Sequence, residues 1–64
     1  MYYAIEIIGS ARKRYTIKQV FPNGTNPVDG KIYRTEEDAR SAAARLGLKI
    51  EKTGDLWEIL PAVR

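Results

Sequence analysis

The segment Thr35–Leu48 (TEEDARSAAARLGL) carries the signals of a short helix in their proper order, and it constrains everything around it. Thr35 is a good N-cap, and Asp38 stands three residues on as an acidic form of the capping box. Glu36, Glu37 and Asp38 put negative charge in the first turn, where the helix dipole favours it. Ala39, Ala42, Ala43 and Leu46 fall at i, i+3, i+4 and i+7 and form one apolar stripe, with Arg40 and Arg45 facing away. Gly47 follows as the C′ residue, and Leu48 is its apolar C″ partner in a Schellman end. The spacing predicts a helix over about 35–46.

A stripe of alanine lets a helix lie close to its neighbour but supplies little bulk. The bulk is expected from a sheet, through Ile5, Ile7, Ile17, Ile32 and Ile50. Tyr2–Ile8 (YYAIEII) alternates: Tyr3, Ile5 and Ile7 share one face, and Tyr2, Ala4, Glu6 and Ile8 the other. Tyr15–Phe21 (YTIKQVF) reads as a second strand, with a phase reversal at Gln19-Val20 that suggests a bulge or a twisted end. The two form a hairpin whose tip is GSARKR. Pro22–Gly30 (PNGTNPVDG) has the composition of a loop. Lys31–Arg34 (KIYR) is expected as a short edge strand, Leu48–Lys52 (LKIEK) as a strand, Thr53-Gly54-Asp55 as a turn, and Leu56–Leu60 (LWEIL) as a last strand ended by Pro61. The expected order is β-β-β-α-β-β: one α+β domain over residues 1–64, with one helix packed on a four- or five-stranded, mainly antiparallel sheet in two layers.

The residue inventory closes off most chemistry. The chain has 64 residues with no cysteine and no histidine, so disulfide staples and the usual zinc ligands are missing. A Ser-His-Asp or Cys-His site has no imidazole to use. The only carboxylate cluster, Glu36-Glu37-Asp38, is explained by the helix start, and the other acids lack the spacing of a calcium loop. No glycine-rich run precedes the helix as a phosphate cradle would. So small a domain has little room for an enclosed pocket of about 300 Å³. The expectation is therefore a non-enzymatic binding domain with no cofactor, metal or small-molecule substrate. No apolar run approaches the ~20 residues that span a bilayer, and neither a membrane segment nor an export signal is read. A cytoplasmic location is expected.

Charge points to a partner. The net charge is +3, yet Ser10–Arg34 holds six basic residues against one acid, Asp29. Arg12, Lys13 and Arg14 stand on the hairpin tip with Lys18 beside them, and Lys31 and Arg34 follow. Consecutive basic residues on a protruding turn suit phosphate contact without sequence preference. Nucleic-acid binding through this basic β-hairpin is the first expectation. The alternative is a protein-interaction or homodimerisation module. It would use the sheet face left open by the helix, with Tyr2, Thr16, Tyr33 and Trp57, or the KIYR edge.

Tyr33–Arg40 (YRTEEDAR), after a basic hairpin, loosely resembles the arm-binding N-terminal domains of tyrosine recombinases over roughly residues 2–47. That resemblance implies a sheet whose basic strand residues meet DNA in the major groove. Leu48–Leu60 departs from the pattern, no catalytic domain follows, and no family is assigned on it.

Overall fold

In the computed structural model, residues 1–60 are described, and Pro61 lies outside them. The elements are β1 (Tyr2–Ile8), β2 (Arg14–Phe21), β3 (Gly24–Pro27), α1 (Glu36–Arg45), β4 (Ile50–Gly54) and α2 (Leu56–Ile59). The strands form one sheet in the order β3-β2-β1-β4. β1–β2 and β2–β3 are antiparallel, and β4 runs parallel to β1 after the α1 crossover. This is the expected α+β class, with four strands and mainly antiparallel pairing.

α1 forms where its signals place it. The Thr35 hydroxyl accepts from the Asp38 amide at 3.0 Å. At the other end Leu48 N donates to Ala43 O and Gly47 N to Ala44 O, the two bonds of a Schellman end, with Gly47 at φ 74°. Ala39, Ala42 and Ala43 are buried, and Ala42 and Ala43 pack with Ile17, flanked by Val28, Tyr33, Leu48 and Ile50. The Arg40 side chain ties the helix to the sheet: it bonds Glu36 one turn back at 2.7 Å and the Thr53 hydroxyl of β4 at 2.8 Å.

The end of the chain departs from expectation. Leu56–Leu60 is not a strand: Leu56–Ile59 is a single helical turn. Asp55 Oδ1 accepts from Glu58 N at 3.0 Å while Glu58 Oε1 accepts from Asp55 N at 3.1 Å, a complete capping box. Ile59 is fully buried against Ala4 and Val20, on the face opposite α1. The Tyr2 hydroxyl donates to Ile59 O, which pins the turn. Buried Gly54 permits this approach, because a Cβ there would lie 2.8 Å from Glu58 Cβ. Both sheet faces are thus covered, and Ala4 and Ile5, adjacent on β1 and pointing oppositely, are both fully buried.

Two-sided covering also explains the phase reversal at Gln19-Val20. β2 has no bulge, since the β1–β2 register runs unbroken from Tyr2↔Val20 to Ile8↔Arg14. Val20 is apolar because it faces α2's side, and Ile17 because it faces α1. The register shift lies in β4, where Glu51 is the extra residue between the Tyr3↔Ile50 and Ala4↔Lys52 pairs.

The third strand is also displaced. Gly24–Pro27, expected as loop, pairs with β2 through a two-residue turn at Pro22-Asn23. Lys31–Arg34 forms no strand. Tyr33 alone makes a reciprocal bridge with Tyr15, at 2.9 and 2.7 Å, on the same edge of β2. Ile32, expected in the core, is 57% exposed.

A helical α2 sets Trp57 about 200° from Ile59 around the axis, whereas a strand would put both on one face. Ile59→Ala should therefore cost about 2–5 kcal/mol, and Ile59→Val about 0.5–1.5 kcal/mol. Trp57→Ala should stay within about 0.5 kcal/mol of the parent. Urea midpoints of the three variants check this; equal losses for Trp57 and Ile59 would contradict the helical turn.

Candidate nucleic-acid interface

The hairpin tip is a five-residue connection, Gly9–Lys13, between the last β1–β2 pair, Ile8 and Arg14. Its shape depends on Gly9. The φ there is +88°, and a Cβ would meet the Arg12 carbonyl oxygen at 2.8 Å. The loop folds back on Gly9 and leaves Arg12 and Lys13 exposed. Arg14 is the first residue of β2 and shares a face with Thr16, Lys18 and Val20, the face that α2 partly covers.

The Tyr15–Tyr33 bridge brings a second basic segment to this end. In antiparallel pairing the next residues along are Arg14 and Arg34, so these two cations occupy neighbouring chains at one level. Lys31 reaches the same edge, because its carbonyl accepts from the Thr16 hydroxyl at 3.0 Å. Asp29 shapes that turn: it accepts from Lys31 N at 3.1 Å and from the Tyr33 hydroxyl at 2.5 Å. Burial pushes the Asp29 carboxyl up, but the Tyr33 hydroxyl, the neighbouring amides and the Lys31 charge outweigh it and hold it below its ordinary 3.8. The same bond to Asp29, with some burial and the carboxylate's charge, raises Tyr33 above its ordinary 10.0 against the pull of Arg45.

Ion pairing separates the cations into two groups. Lys18 lies 3.6 Å from Glu6 on the adjacent strand, with both side chains largely covered. Arg40 pairs with Glu36, Lys49 pairs with Glu51 at 3.9 Å, and Lys52 sits 5.2 Å above the Tyr2 ring. Among the described residues, the charged groups of Arg12, Lys13, Arg14, Lys31, Arg34, Arg45 and Lys52 have no carboxylate within 4.0 Å, although the Lys31 charge acts on Asp29, which its own amide bonds. Of the six basic residues singled out in the sequence, the fold brings Arg12, Lys13, Arg14 and Arg34 to one end, leaves Lys31 in the Asp29 turn and commits Lys18 internally. A cross-strand partner such as Glu6 follows from register, which the linear sequence does not display.

The four residues of the expected open sheet face are not together. Tyr2 lies between Ile59 and Lys52, Thr16 is 3% exposed, and Tyr33 packs on α1's side. Only Trp57, at 83% exposure, is a free aromatic surface. The sheet edges are guarded. β3 ends in Pro27, and β4 presents Glu51 and Lys52 with Lys49 just before it.

Two depressions mark the described surface. One runs along Glu36, Glu37, Arg40, Ser41 and Ala44 and is open to solvent. The other, of about 140 Å³, lies between Asp29, Lys31, Tyr33 and the end of α1 at Arg45 and Leu46. Among the described residues, no three carboxylates cluster as metal ligands would, and no helix is long and apolar enough to cross a membrane. Compared with family models, curated proteins and solved structures, the chain matches none.

The Asp29–Tyr33 bond predicts a pH signature. A depressed carboxylate contributes stability above the ordinary carboxylate pKa and loses it as pH falls through its folded value. A raised phenol contributes below pH ~10 and loses it above. Tyr33→Phe should therefore lower the urea midpoint at pH 7, and the gap to the parent should be smaller at an acid pH that protonates Asp29. An equal gap at both pH values would mean that the bond does not depend on the Asp29 charge.

Proposed function

We propose that this protein is a small non-enzymatic domain that binds nucleic acid through the basic end of its sheet. Arg12, Lys13 and Arg14 make the principal phosphate contacts, with Arg34 and Lys31 in support. The observation that supports this reading is the grouping of cations: Arg12, Lys13, Arg14 and Arg34 stand together at the hairpin end with no carboxylate within 4.0 Å of their charged groups, while Lys18, Arg40 and Lys49 each have one. Guanidinium groups left in water bind phosphate oxygens well, and such contacts supply affinity without reading sequence. The non-catalytic part of the proposal rests on the absence of any imidazole or thiol in the sequence. A cytoplasmic setting, where nucleic acid is an abundant polyanion, accords with it.

The competing reading is a protein-interaction or homodimerisation module. It draws support from exposed Trp57. The charged and proline-bearing edges weigh against its edge-to-edge form. Sedimentation at high concentration checks the homodimer version, which a strict monomer removes.

Binding by phosphate contact should fall steeply with salt, with a slope of about −0.9 per contact on duplex and about −0.7 on single strands. Changing Arg12, Lys13 and Arg14 together to alanine should flatten that slope by about two to three and cut affinity at low salt at least about tenfold. Lys18→Ala should change the slope little, because Glu6 already neutralises that ammonium. Fluorescence anisotropy with labelled DNA and RNA across a salt series reads both. Undiminished affinity in the triple variant would remove the proposal.

A further inference from the structure

Trp57 is the most exposed large apolar side chain described, at 83%, and the core does not need it, since Ile59 fills the space under α2. Its place in the fold is informative. Gly54, just before α2, sits beside Glu6 of β1, and the Ile8–Arg14 pair lies two residues further along the same face. α2 therefore begins near the hairpin end of the sheet and runs back across this face to Ala4 and Val20. Two strand spacings of about 4.8 Å and two residue rises of about 3.4 Å put Gly54, two residues before α2, roughly 12 Å from Arg14. Trp57 points away from the sheet, opposite the buried Ile59. The face opposite α1 thus presents one free indole, two partly exposed apolar side chains, Leu56 (37%) and Ile8 (39%), and the unpaired Arg14, with Arg12 and Lys13 on the adjoining tip.

We infer that this face takes a single-stranded nucleic acid, with one base stacked on the Trp57 indole and the flanking phosphates held by Arg14, Arg12 and Lys13. The inference rests on the nucleic-acid reading above and narrows it. Cations to one side of an exposed aromatic ring complement a ligand that is both anionic and aromatic. An unpaired base offers its π-face to such a platform, whereas a duplex keeps its bases stacked on one another.

Trp57 is the only tryptophan in the chain, so emission excited beyond the tyrosine band reports this site alone. The test is titration of the whole protein at low salt with an oligothymidylate of about 12 nucleotides, within the usual single-strand site size, and with a duplex of equal length. Anisotropy of the labelled nucleic acid is followed in parallel. Stacking should quench Trp57 saturably with the single strand and not with the duplex. Trp57→Ala should weaken single-strand binding about 5- to 150-fold and leave duplex binding little changed, while Trp57→Phe restores most of the loss. Circular dichroism confirms that each variant is folded. Single-strand binding without quenching, or with Trp57→Ala at parental affinity, overturns the inference while leaving the basic end as a phosphate site. Absence of binding to either nucleic acid overturns both. Emission that shifts with protein concentration alone, matched by a dimer in sedimentation, assigns Trp57 to self-association and overturns the inference as well.

Discussion

The structure depends on covering both faces of the β1–β2 pair with very little material. Ala4 and Ile5 are neighbours on β1 with side chains on opposite faces, and neither is reached by solvent. A 64-residue chain with no cysteine and no histidine lacks disulfides and the usual zinc ligands and leans on apolar burial and local hydrogen bonding. It meets the requirement with two small devices. α1 brings a flat alanine surface to one face so that Ile5 and Ile17 can fill the gap. On the other face a single helical turn drives Ile59 into a slot between Ala4 and Val20. One turn is far below the length at which a helix is stable alone, so α2 exists only because its cap and its docking are both satisfied. The Asp55–Glu58 box satisfies the first amides, and the Tyr2 hydroxyl takes up a carbonyl at the far end.

What could be read beforehand follows the range of the interactions involved. α1 was legible because cap, stripe and stop all lie within fourteen consecutive residues, Thr35 to Leu48. The β1–β2 hairpin was legible because its alternation is strong and its connection short. β3 was not, since Gly24-Thr25-Asn26-Pro27 has no apolar alternation, and its pairing is dictated by the turn before it and the free edge of β2. LWEIL misleads through composition: its aromatic and branched residues suit a strand, and the decisive feature is the Asp55-x-x-Glu58 spacing just upstream, a signal present in the sequence. β4 was legible as a strand from the alternation in Leu48–Lys52, but its parallel pairing with β1, nearly fifty residues away, lies beyond any local pattern.

The candidate site divides along the same line. Arg12, Lys13 and Arg14 were visible as a tip because a hairpin must turn somewhere, and Gly9 makes that turn possible. That Arg34 joins them depends on a single bridge, Tyr15–Tyr33, and on the Asp29 turn that carries the chain to it. That Lys18 does not join them depends on register. Glu6 stands opposite Thr16, and Lys18 is the next residue on that face, so the carboxylate lies diagonally beside the ammonium. The sequence places these cations in one stretch, but only the pairing of strands decides that Lys18 is matched by a carboxylate and Arg14 is not.

The helical turn of α2 links the burial of one side chain to the exposure of another. If Leu56–Leu60 were a strand, Trp57 and Ile59 would share a face and the indole would be spent in the core. Helical geometry separates them, so that burying Ile59 obliges Trp57 to face water on the side of the sheet where Arg14 emerges. An exposed indole costs the domain little stability, because the turn is held by its capping box, by Ile59 and by Tyr2. The position is therefore free to serve binding, and it lies across the same face as the cations that the protein's own carboxylates leave unmatched.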